Sequence, residues 1–530
     1  MTSYIDACFP SGNGRRITLR GTDLVFASID NVFIYPTLDV DRLRNALSQT
    51  LSFWSILTGR IVVDDDQYII ECSDNPIPFT YTENDQLEYW PDLPVVVDDK
   101  TKVQPFIDSV QYKPETESLL RFKVTHLIRS DEYVFGTSFS HMVGDADSNI
   151  HFINDLSRVY QHLDPLPPRP VFERDLLNKE NLDFSLPLIM DISEKAEKKE
   201  AIFDCFTKEK SETDSLNLSF SSDQLTKLHT VGKSNNEVTI HDTLCAYIIL
   251  TMNKHLFLTT DEHIQRARIV VNYRGICDSL APYGHYCQAD VLTSQLTKDG
   301  RLNFVLGTNE VVFNSNFKYD WANQVNFGMT NQCRFHTVTS YNFYFRIFQL
   351  NPVKGKDGSW TREDGGAEVA FRIPKGEGKE KFLEGWKKDI EENFANYIKR
   401  NISELSHYLL LLEVSKKEAK WVKVVSIHAY FTPPGYTPLP NVPVYISDDN
   451  SQSWSFSSNI RQSYFTTLSL YNNMIYAIGS DADSDGNMII HRSSDNGVIL
   501  FHGKFAEGVT QIVIANKIMY HPTVTSGVWT

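Results

Sequence analysis

Apolar positions in the first third of the chain alternate between two spacings. Residues 24–35 are apolar and rich in β-prone side chains, whereas residues 41–51 repeat their apolar positions at helical intervals. The runs 119–127 and 133–139 are separated only by a turn sequence, which predicts two strands that lie side by side in one sheet. This alternation predicts an α/β fold for the first part of the chain.

A helix is predicted directly after the second of these strands. Asp147 and Ser148 offer a helix cap, and the apolar positions from Ile150 to Tyr160 recur at helical spacing. His141 is therefore predicted where a strand gives way to a helix.

The middle of the chain changes character twice. Residues 165–213 are rich first in proline and then in lysine and glutamate, which predicts a surface connector. Periodic sequence then resumes and predicts a second α/β half. Its predicted strands are 216–220, 267–272, 311–317 and 369–373, and its predicted helices are 222–229, 240–254 and 378–400.

The C-terminal part of the chain contains an internal repeat. Residues 447–454 and 493–500 share a turn sequence rich in serine, aspartate and asparagine, and the strand-like runs around Tyr476 and Tyr520 also match. Repetition at this length is typical of β-propeller blades. We expect a small all-β segment of two propeller-like blades here.

These patterns divide the chain into five parts. They are an N-terminal lobe (1–175), a crossover linker (176–215), a C-terminal lobe (216–397), a second linker (398–420) and a β-repeat segment (421–530). The predicted fold class is α/β, with two lobes of mixed sheets followed by the small all-β segment.

Composition excludes several classes of function. The 530 residues carry a formal charge of -16, and no basic run offers a face to nucleic acid phosphates. No window has the length and apolarity of a membrane-spanning helix, and the first residues show no signal-like pattern. The seven cysteines have irregular spacing, which is typical of reduced thiols. We therefore expect an unprocessed cytoplasmic protein.

The pattern His-x-x-x-Asp occurs three times. The copies are His141 with Asp145, His151 with Asp155, and His491 with Asp495. The second copy falls inside the predicted helix, where a surface pair one turn apart is the natural interpretation. In the third, Asp495 is the turn residue of the repeat. Only the first places a histidine at a strand end, followed by a small Gly144 that lets a ligand approach the backbone.

A histidine at the end of a strand can act as a general base. Acyl transfer from a thioester needs a base that takes a proton from the incoming hydroxyl or amine, and imidazole titrates in the right range. Asp145 could orient the ring as a triad carboxylate does, or it could turn back into the protein after Gly144 and pair with a cation, which we favour. From this pattern alone, a histidine that is simply hydrogen-bonded at a sheet edge is about as good an interpretation of His141.

Further segments occur in a fixed order between residues 15 and 397. They are Thr22-Asp23-Leu24, Leu57-Thr58-Gly59-Arg60-Ile61, Ser140-His141 with Asp145, Pro167-Pro168-Arg169-Pro170, Arg174-Asp175-Leu176-Leu177, Asp242-Thr243-Leu244-Cys245-Ala246, Asn272-Tyr273-Arg274, Tyr283-Gly284-His285-Tyr286-Cys287-Gln288 and Asn326-Phe327-Gly328-Met329. In this order and spacing the chain resembles the BAHD acyltransferase family, part of a larger H-x-x-x-D superfamily that includes the chloramphenicol acetyltransferases.

The resemblance implies two chloramphenicol-acetyltransferase-like lobes with a channel between them. It makes His141 the base, pairs Asp145 with Arg274 in a structural ion pair, and turns Ser315 and Phe317 toward the acceptor. Acyl-CoA would be the co-substrate, and a small-molecule alcohol or amine would be the acceptor. The resemblance implies no metal and no tightly bound cofactor, and it assigns no residues to coenzyme A binding.

Three positions depart from the family pattern. Ala146 replaces the glycine that usually follows the motif aspartate, a change that a negative φ tolerates. Asn326 and Met329 replace the aspartate and tryptophan of the family's D-F-G-W-G motif, which serves shape rather than chemistry. We therefore expect Asn326 and Gly328 to support the site through packing.

Two features suggest other functions. Residues 447–454 resemble the Asp-box of sialidase-like propellers, a hairpin fastener without chemistry. Phe371-Arg372-Ile373-Pro374 matches a sialidase signature, but it also continues the last strand of the second lobe, and too little chain remains for six blades. The alternatives are a non-catalytic binding protein on an acyltransferase scaffold and, third, a glycan-binding or sialidase-like protein with protein or glycan contacts through 421–530.

Overall fold

The computed structural model describes most of the first 390 residues. Side chains are described for residues 1–10, 12, 14–19, 23, 27–65, 67–167, 169–172, 207–230, 239–264, 267–270, 272 and 309–390. The backbone alone is described for residues 231–232 and 266 and for ten strands between residues 422 and 529. Arg274 and most of the predicted crossover linker lie outside the described residues.

Seventeen strands precede residue 390 in the described part of the chain. They are β1 (Thr2–Ile5), β2 (Arg16–Thr18), β3 (Ser28–Tyr35), β4 (Arg60–Asp64), β5 (Gln67–Glu71), β6 (Ile77–Asn84), β7 (Val96–Val97), β8 (Leu120–Leu127), β9 (Glu132–Ser140), β10 (Thr213–Phe220), β11 (Arg266–Ile269), β12 (Glu310–Ser315), β13 (Arg334–Val338), β14 (Tyr344–Gln349), β15 (Val353–Lys354), β16 (Trp360–Thr361) and β17 (Ala367–Pro374).

Six α-helices are described. They are α1 (Val40–Leu51), α2 (Ala146–Tyr160), α3 (Ser222–Gly232), α4 (Ile240–His255), α5 (Trp321–Gln324) and α6 (Glu377–Lys388). Short 3-10 helices occupy Ser55–Thr58, Lys100–Lys102, Gln104–Phe106, Thr260–Glu262 and Thr330–Gln332.

A seven-stranded mixed sheet forms the N-lobe, in the order β1-β6-β8-β9-β3-β13-β7. Helices α1 and α2 contact each other, and their apolar side chains share one core with the aromatic side chains of β3, β8 and β9. The opposite face carries a smaller apolar cluster around Trp90 and Phe106. Where both faces are covered, the second half of β3 is buried at consecutive positions, whereas β8 alternates apolar and polar side chains.

A five-stranded sheet forms the C-lobe, in the order β10-β17-β14-β12-β11. Helices α3, α4 and α6 bury their apolar side chains in one core with this sheet. Helix α4 begins with a reciprocal capping box, in which Thr239 and Asp242 each accept the other's backbone N–H. The result is a second α/β lobe, as the sequence predicts.

One strand crosses between the lobes. β13 follows the C-lobe strand β12 along the chain, yet it pairs antiparallel with β3 and parallel with β7 in the N-lobe sheet. Backbone hydrogen bonds therefore join the two lobes. The sequence analysis predicted neither β13 nor β14.

The main predicted elements are confirmed, with boundaries that shift by a few residues. The strands predicted at 119–127 and 133–139 are β8 and β9, and they pair antiparallel. The predicted C-lobe strands correspond to β10, β11, β12 and β17, and the predicted helices correspond to α3, α4 and α6. Helix α6 is described to Lys388, whereas the prediction for residues 391–400 lies outside the described residues.

The predicted cap of α2 is wrong. Asp145 is the N-cap, and its Oδ1 accepts a hydrogen bond from the Ser148 N–H at 3.0 Å. Asp147 and Ser148 lie inside the first turn instead. Aspartate is favourable both at the N-cap and in the first turn of a helix, where its charge interacts with the helix dipole. The sequence pattern therefore could not distinguish the two positions.

The C-terminal segment contains ten described strands in three sheets. They are β18 (Val422–Lys423), β19 (Val442–Ile446), β20 (Ser455–Ile460), β21 (Tyr464–Tyr471), β22 (Met474–Ser480), β23 (Met488–Asp495), β24 (Val498–Phe505), β25 (Val513–Ala515), β26 (Ile518–His521) and β27 (Gly527–Trp529). Strands β21 to β24 form a four-stranded antiparallel sheet in sequence order. The propeller-like arrangement of this segment stays a prediction.

Two chemical features of the described residues complete the fold. Cys8, Cys72, Cys245 and Cys333 are free thiols. None of the helices in this part of the chain combines the length and apolar character needed to cross a bilayer.

Candidate active site

His141 directly follows the last residue of β9, a strand inside the N-lobe sheet. Ser140 is the last residue of β9 and lies opposite Ser28 of β3. The His141 N–H donates to the Ala27 carbonyl at 2.9 Å, which continues this pairing by one residue. The side chain is partly exposed. His141 thus stands at the junction of strand and turn, where the sequence analysis expected it.

A tight turn connects His141 to helix α2. The Val143 N–H donates to the Ser140 carbonyl at 3.0 Å, and Gly144 is buried. Ala146 is the first helical residue, so its φ is in the negative range that alanine tolerates. The substitution of the family's glycine at this position therefore fits the backbone.

Asp145 fixes the start of helix α2. Its Oδ1 accepts from both the N–H and the Oγ of Ser148 at 3.0 Å, and its carbonyl accepts from the Asn149 N–H at 3.0 Å. A carboxylate that caps a helix also benefits from the helix dipole. The ion pair that the resemblance assigns to Asp145 and Arg274 involves a residue outside the described part of the chain.

The first turn of α2 meets the C-lobe through Tyr319. The Tyr319 hydroxyl donates to Oδ1 of Asp147, and Asn272 Nδ2 donates to the same hydroxyl at 3.2 Å. Burial and then the neighbouring Asp147 carboxylate hold the pKa of Tyr319 well above its ordinary value. The hydroxyl keeps its proton at neutral pH and is therefore the donor. Sequence reasoning missed this contact because neither residue belongs to a recognisable motif.

Ser315 and Phe317 lie at the C-terminal end of β12. Ser315 Oγ accepts from the Phe317 N–H at 3.4 Å, and both side chains are partly buried. Phe317 lines a shallow apolar recess of about 10 Å³ together with residues that include Leu244 of α4 and Ile347 of β14. The pair therefore lies beside an apolar recess of the C-lobe.

A polar network lies at the end of β9 where His141 emerges. The Asp30 carboxylate accepts from Ser138 Oγ at 2.7 Å and from Ser109 Oγ at 2.8 Å. Burial and the nearby Asp30 raise the pKa of Tyr112. Residues 30, 109 and 138 lie in separate segments and carry no sequence signal of such a network, so the sequence analysis did not anticipate it.

Asn326 and Gly328 shape a turn. Asn326 Oδ1 accepts from the Gly328 N–H at 2.8 Å, and the Asn326 carbonyl accepts from Gln161 Nε2 at 2.8 Å. Gly328 has a φ of 110°, which other residues rarely adopt. Phe327 between them packs edge-on against Tyr35 and other core aromatic rings. The contacts of Asn326 are with neutral groups.

The second H-x-x-x-D copy is not a surface pair, so that prediction is wrong. Asp155 is buried and accepts from Trp54 Nε1 at 2.9 Å. His151 lies 3.8 Å from Asp147 Oδ1, one turn earlier in the helix. Both residues do fall inside α2, but residue 155 faces the core because the helix packs against α1 and the segment after it.

Arg372 of the sialidase-like signature is engaged inside the protein. It lies in β17 with 6 % of its surface exposed and pairs with Asp98. Its Nε also donates to Thr213 Oγ1 at 2.9 Å. A buried, paired arginine cannot present its guanidinium to a carboxylate ligand, which favours coincidence as the explanation of the signature.

Comparison with known proteins finds a matching family model and solved structures of similar fold. A family model described as "Transferase family" matches residues 24–298, just over half of the chain. No curated protein sequence matched. Among solved structures, vinorine synthase has 14% sequence identity and a TM-score of 0.50, with 73% of this chain and 97% of that chain covered. F. sporotrichioides TRI101, complexed with coenzyme A and T-2, has 11% identity and a TM-score of 0.50, with 72% and 99% covered. At these identities the structures establish the fold alone.

Proposed function

Since the chain belongs to the Transferase family of BAHD-type acyltransferases, we propose that it moves an acyl group from acyl-CoA to a hydroxyl or amine of a small molecule. His141 is the general base in this proposal. The observation that carries it is the placement of a partly exposed His141 at the end of β9, directly before a helix whose first turn is bonded to the other lobe.

The chemistry follows from the groups at this junction. The imidazole of His141 takes the proton from the acceptor O–H or N–H as the acceptor atom attacks the thioester carbonyl. The C–S bond then breaks, and the thiolate of coenzyme A recovers the proton from the imidazolium. Such a base contributes about 10²- to 10⁴-fold to the rate. Direct transfer needs both substrates bound at once and forms no acyl-enzyme.

Asp145 acts on the site indirectly in this proposal. Its bonds to Ser148 fix the turn after His141, and its second partner would be Arg274, as in the family. Gly144, Asn326 and Gly328 support the same region by shape. A cation that balances the Asp145 carboxylate would keep it from competing for the proton of the imidazolium.

Ser315 and Phe317 are proposed to face the acceptor. The recess beside Phe317 is lined by apolar side chains together with His241, whose pKa is lowered by burial. The recess is therefore uncharged at neutral pH, and its lining presents an apolar surface on the side that Phe317 faces. The TRI101 structure that shares this fold holds coenzyme A together with T-2, which supports a coenzyme A donor and a small-molecule acceptor here.

The test is a matched pair of histidine variants. Purified protein is incubated with several acyl-CoA thioesters and a panel of alcohols and amines, and release of free thiol is followed. His141→Asn should lower kcat by about 10²- to 10⁴-fold without changing the melting temperature substantially. The control is His162→Asn, because His162 is exposed just beyond α2 and has a φ of 61° that asparagine tolerates. Full activity of His141→Asn would refute the assignment.

A non-catalytic scaffold is the main alternative. The departure at Asn326 suggested it, but Asn326 still holds the turn through its bonds to Gly328 and Gln161. Binding of an acyl-CoA should raise the melting temperature in either case, since a ligand of the native state stabilises it. Binding without thiol release for any acceptor would favour the alternative.

A further inference from the structure

We infer that Tyr319 and Asp147 are a positioning pair that sets the distance between His141 and the acceptor-facing segment 315–319. The inference rests on the proposed function. Neither side chain takes part in proton transfer, and the role of the pair is to hold the two lobes in register at the site.

The N-lobe member of the pair is rigidly placed. Asp147 lies in the first turn of α2, and only 7 % of its surface is exposed. Asp145, the cap of the same turn, fixes the helix end through Ser148. A displacement of Asp147 therefore displaces the turn that begins at His141.

The C-lobe member is equally fixed to its surroundings. The Tyr319 N–H donates to the Asn316 carbonyl at 3.0 Å, and the Asn316 N–H donates to the Ile347 carbonyl at 2.7 Å. Gln349 Nε2 holds the Phe317 carbonyl at 3.0 Å. These bonds tie segment 315–319 to strand β14, so that Tyr319 and Phe317 move together.

The next residue anchors the segment from the other side. Asp320 pairs with Arg362 and caps helix α5 by accepting from the Asn323 N–H at 3.1 Å. Segment 315–319 is thus held at its start by β14 and at its end by α5, whose Trp321 packs in the N-lobe core. Asn272 holds the Tyr319 hydroxyl from a third direction. Because its hydroxyl is bonded to Asp147, Tyr319 fixes the distance between this segment and the turn that begins at His141.

Positioning of this kind affects the rate more than the binding of either substrate. A displacement of about 1 Å between reacting groups can cost about 10²-fold in rate. Loss of the bond should therefore lower kcat, while KM for acyl-CoA changes little because its binding does not depend on the exact separation of base and acceptor.

The experiment is a double-mutant cycle with a control in the same helix. Tyr319→Phe, Asp147→Asn and the double variant are compared for kcat, for KM of each substrate and for melting temperature. Asp155→Asn is the control, because Asp155 is also in α2, has the same 7 % exposure and accepts a bond from Trp54 within its own lobe. Asp147→Asn keeps an oxygen that can accept from Tyr319, so it tests the bond in a variant that retains the shape of the site.

We expect Tyr319→Phe to lower kcat by about 10- to 100-fold, with KM for acyl-CoA changed less than about twofold. The double variant should be no worse than Tyr319→Phe alone, since Tyr319→Phe already removes the hydrogen bond that Asp147→Asn only weakens. Asp155→Asn should lower the melting temperature and leave kcat unchanged. An active wild type with a fully active Tyr319→Phe would overturn this inference alone, whereas a wild type inactive with every thioester and acceptor would overturn the proposed function and the inference with it.

Discussion

Buried Arg372 in strand β17 and partly buried Asp98 after strand β7 form an ion pair between the two lobes. Ser340 Oγ completes the site by donating to Asp98 Oδ1 at 2.6 Å. Four residues earlier, on the same face of β17, Glu368 accepts from the Val95 and Val96 N–H groups at 2.9 and 3.0 Å. Glu368 and Arg372 of β17 therefore hold residues 95–98, the segment that contains β7.

Replacement of Arg372 by leucine should destabilise the protein by about 3 kcal/mol, the lower end of the range for a buried pair, because Asp98 loses its cation but is only partly buried. Denaturant unfolding measures the loss. The control is Lys381→Met, which removes an exposed pair with Glu377 and should cost less than about 1 kcal/mol. Equal effects of the two changes would contradict the role assigned to the pair of Arg372 and Asp98.

Asp98 should contribute to stability in a pH-dependent way. Burial alone would raise its pKa, but hydrogen bonds from Ser340 and Arg372 together hold the pKa below the ordinary value of 3.8. A carboxyl with a lowered pKa in the folded state stabilises it above the unfolded-state pKa, and this contribution is lost as the pH falls. The free energy difference between wild type and Asp98→Asn should therefore be constant above about pH 5 and shrink below pH 3.8. A difference that does not change with pH would show that the charge is not involved.

Gly136 should not tolerate even alanine. It lies in the middle of β9, and a Cβ atom there would come within 1.9 Å of the Phe106 carbonyl oxygen. Because that oxygen belongs to the backbone, the strand or the segment at 106 must shift, and we expect a loss of about 3 kcal/mol. Thermal and denaturant unfolding of Gly136→Ala check this. Ser219→Ala, at an exposed strand position of β10, serves as the comparison and should change stability by less than about 0.5 kcal/mol.

Asn326→Asp, which restores the family's usual residue, should have a small effect on stability. The aspartate can still accept from the Gly328 N–H, and only the long 3.4 Å bond from Asn326 Nδ2 to Gln161 is lost. We expect a change within about 1 kcal/mol. A loss several times larger in an unfolding experiment would show that the turn depends on an uncharged residue at this position.

Sequence periodicity predicted the elements whose pattern is local. Strand β8 was recognisable by its alternation of apolar and polar side chains, and β9 by the short turn sequence that separates it from β8. Helix α2 shows its helical period because one side packs on the N-lobe sheet. His141 was placed correctly at the strand end for the same reason. Strand β13 was missed because its five residues include Arg334 and His336, which give it no apolar alternation. Its place in the sheet depends on β3 and β7, which lie far earlier in the chain.

The site could be predicted only as far as it has a motif. The H-x-x-x-D pattern made His141 and Asp145 candidates, but Tyr319 and Asp147 meet across 172 positions of sequence, where no local pattern records the contact. The same holds for Arg372, whose local sequence suggested a different class of protein until its partner Asp98 was located. Pairs that join distant segments need the fold before they can be recognised.

The insertion of β13 between β3 and β7 makes the halves of the molecule interdependent during folding. A fragment that ends before residue 334 would leave β3 with an open edge, a row of unsatisfied backbone donors and acceptors that invites aggregation. Separate expression of the two lobes should therefore yield insoluble material. During synthesis, the N-lobe sheet can be completed only after residues 334–338 have left the ribosome.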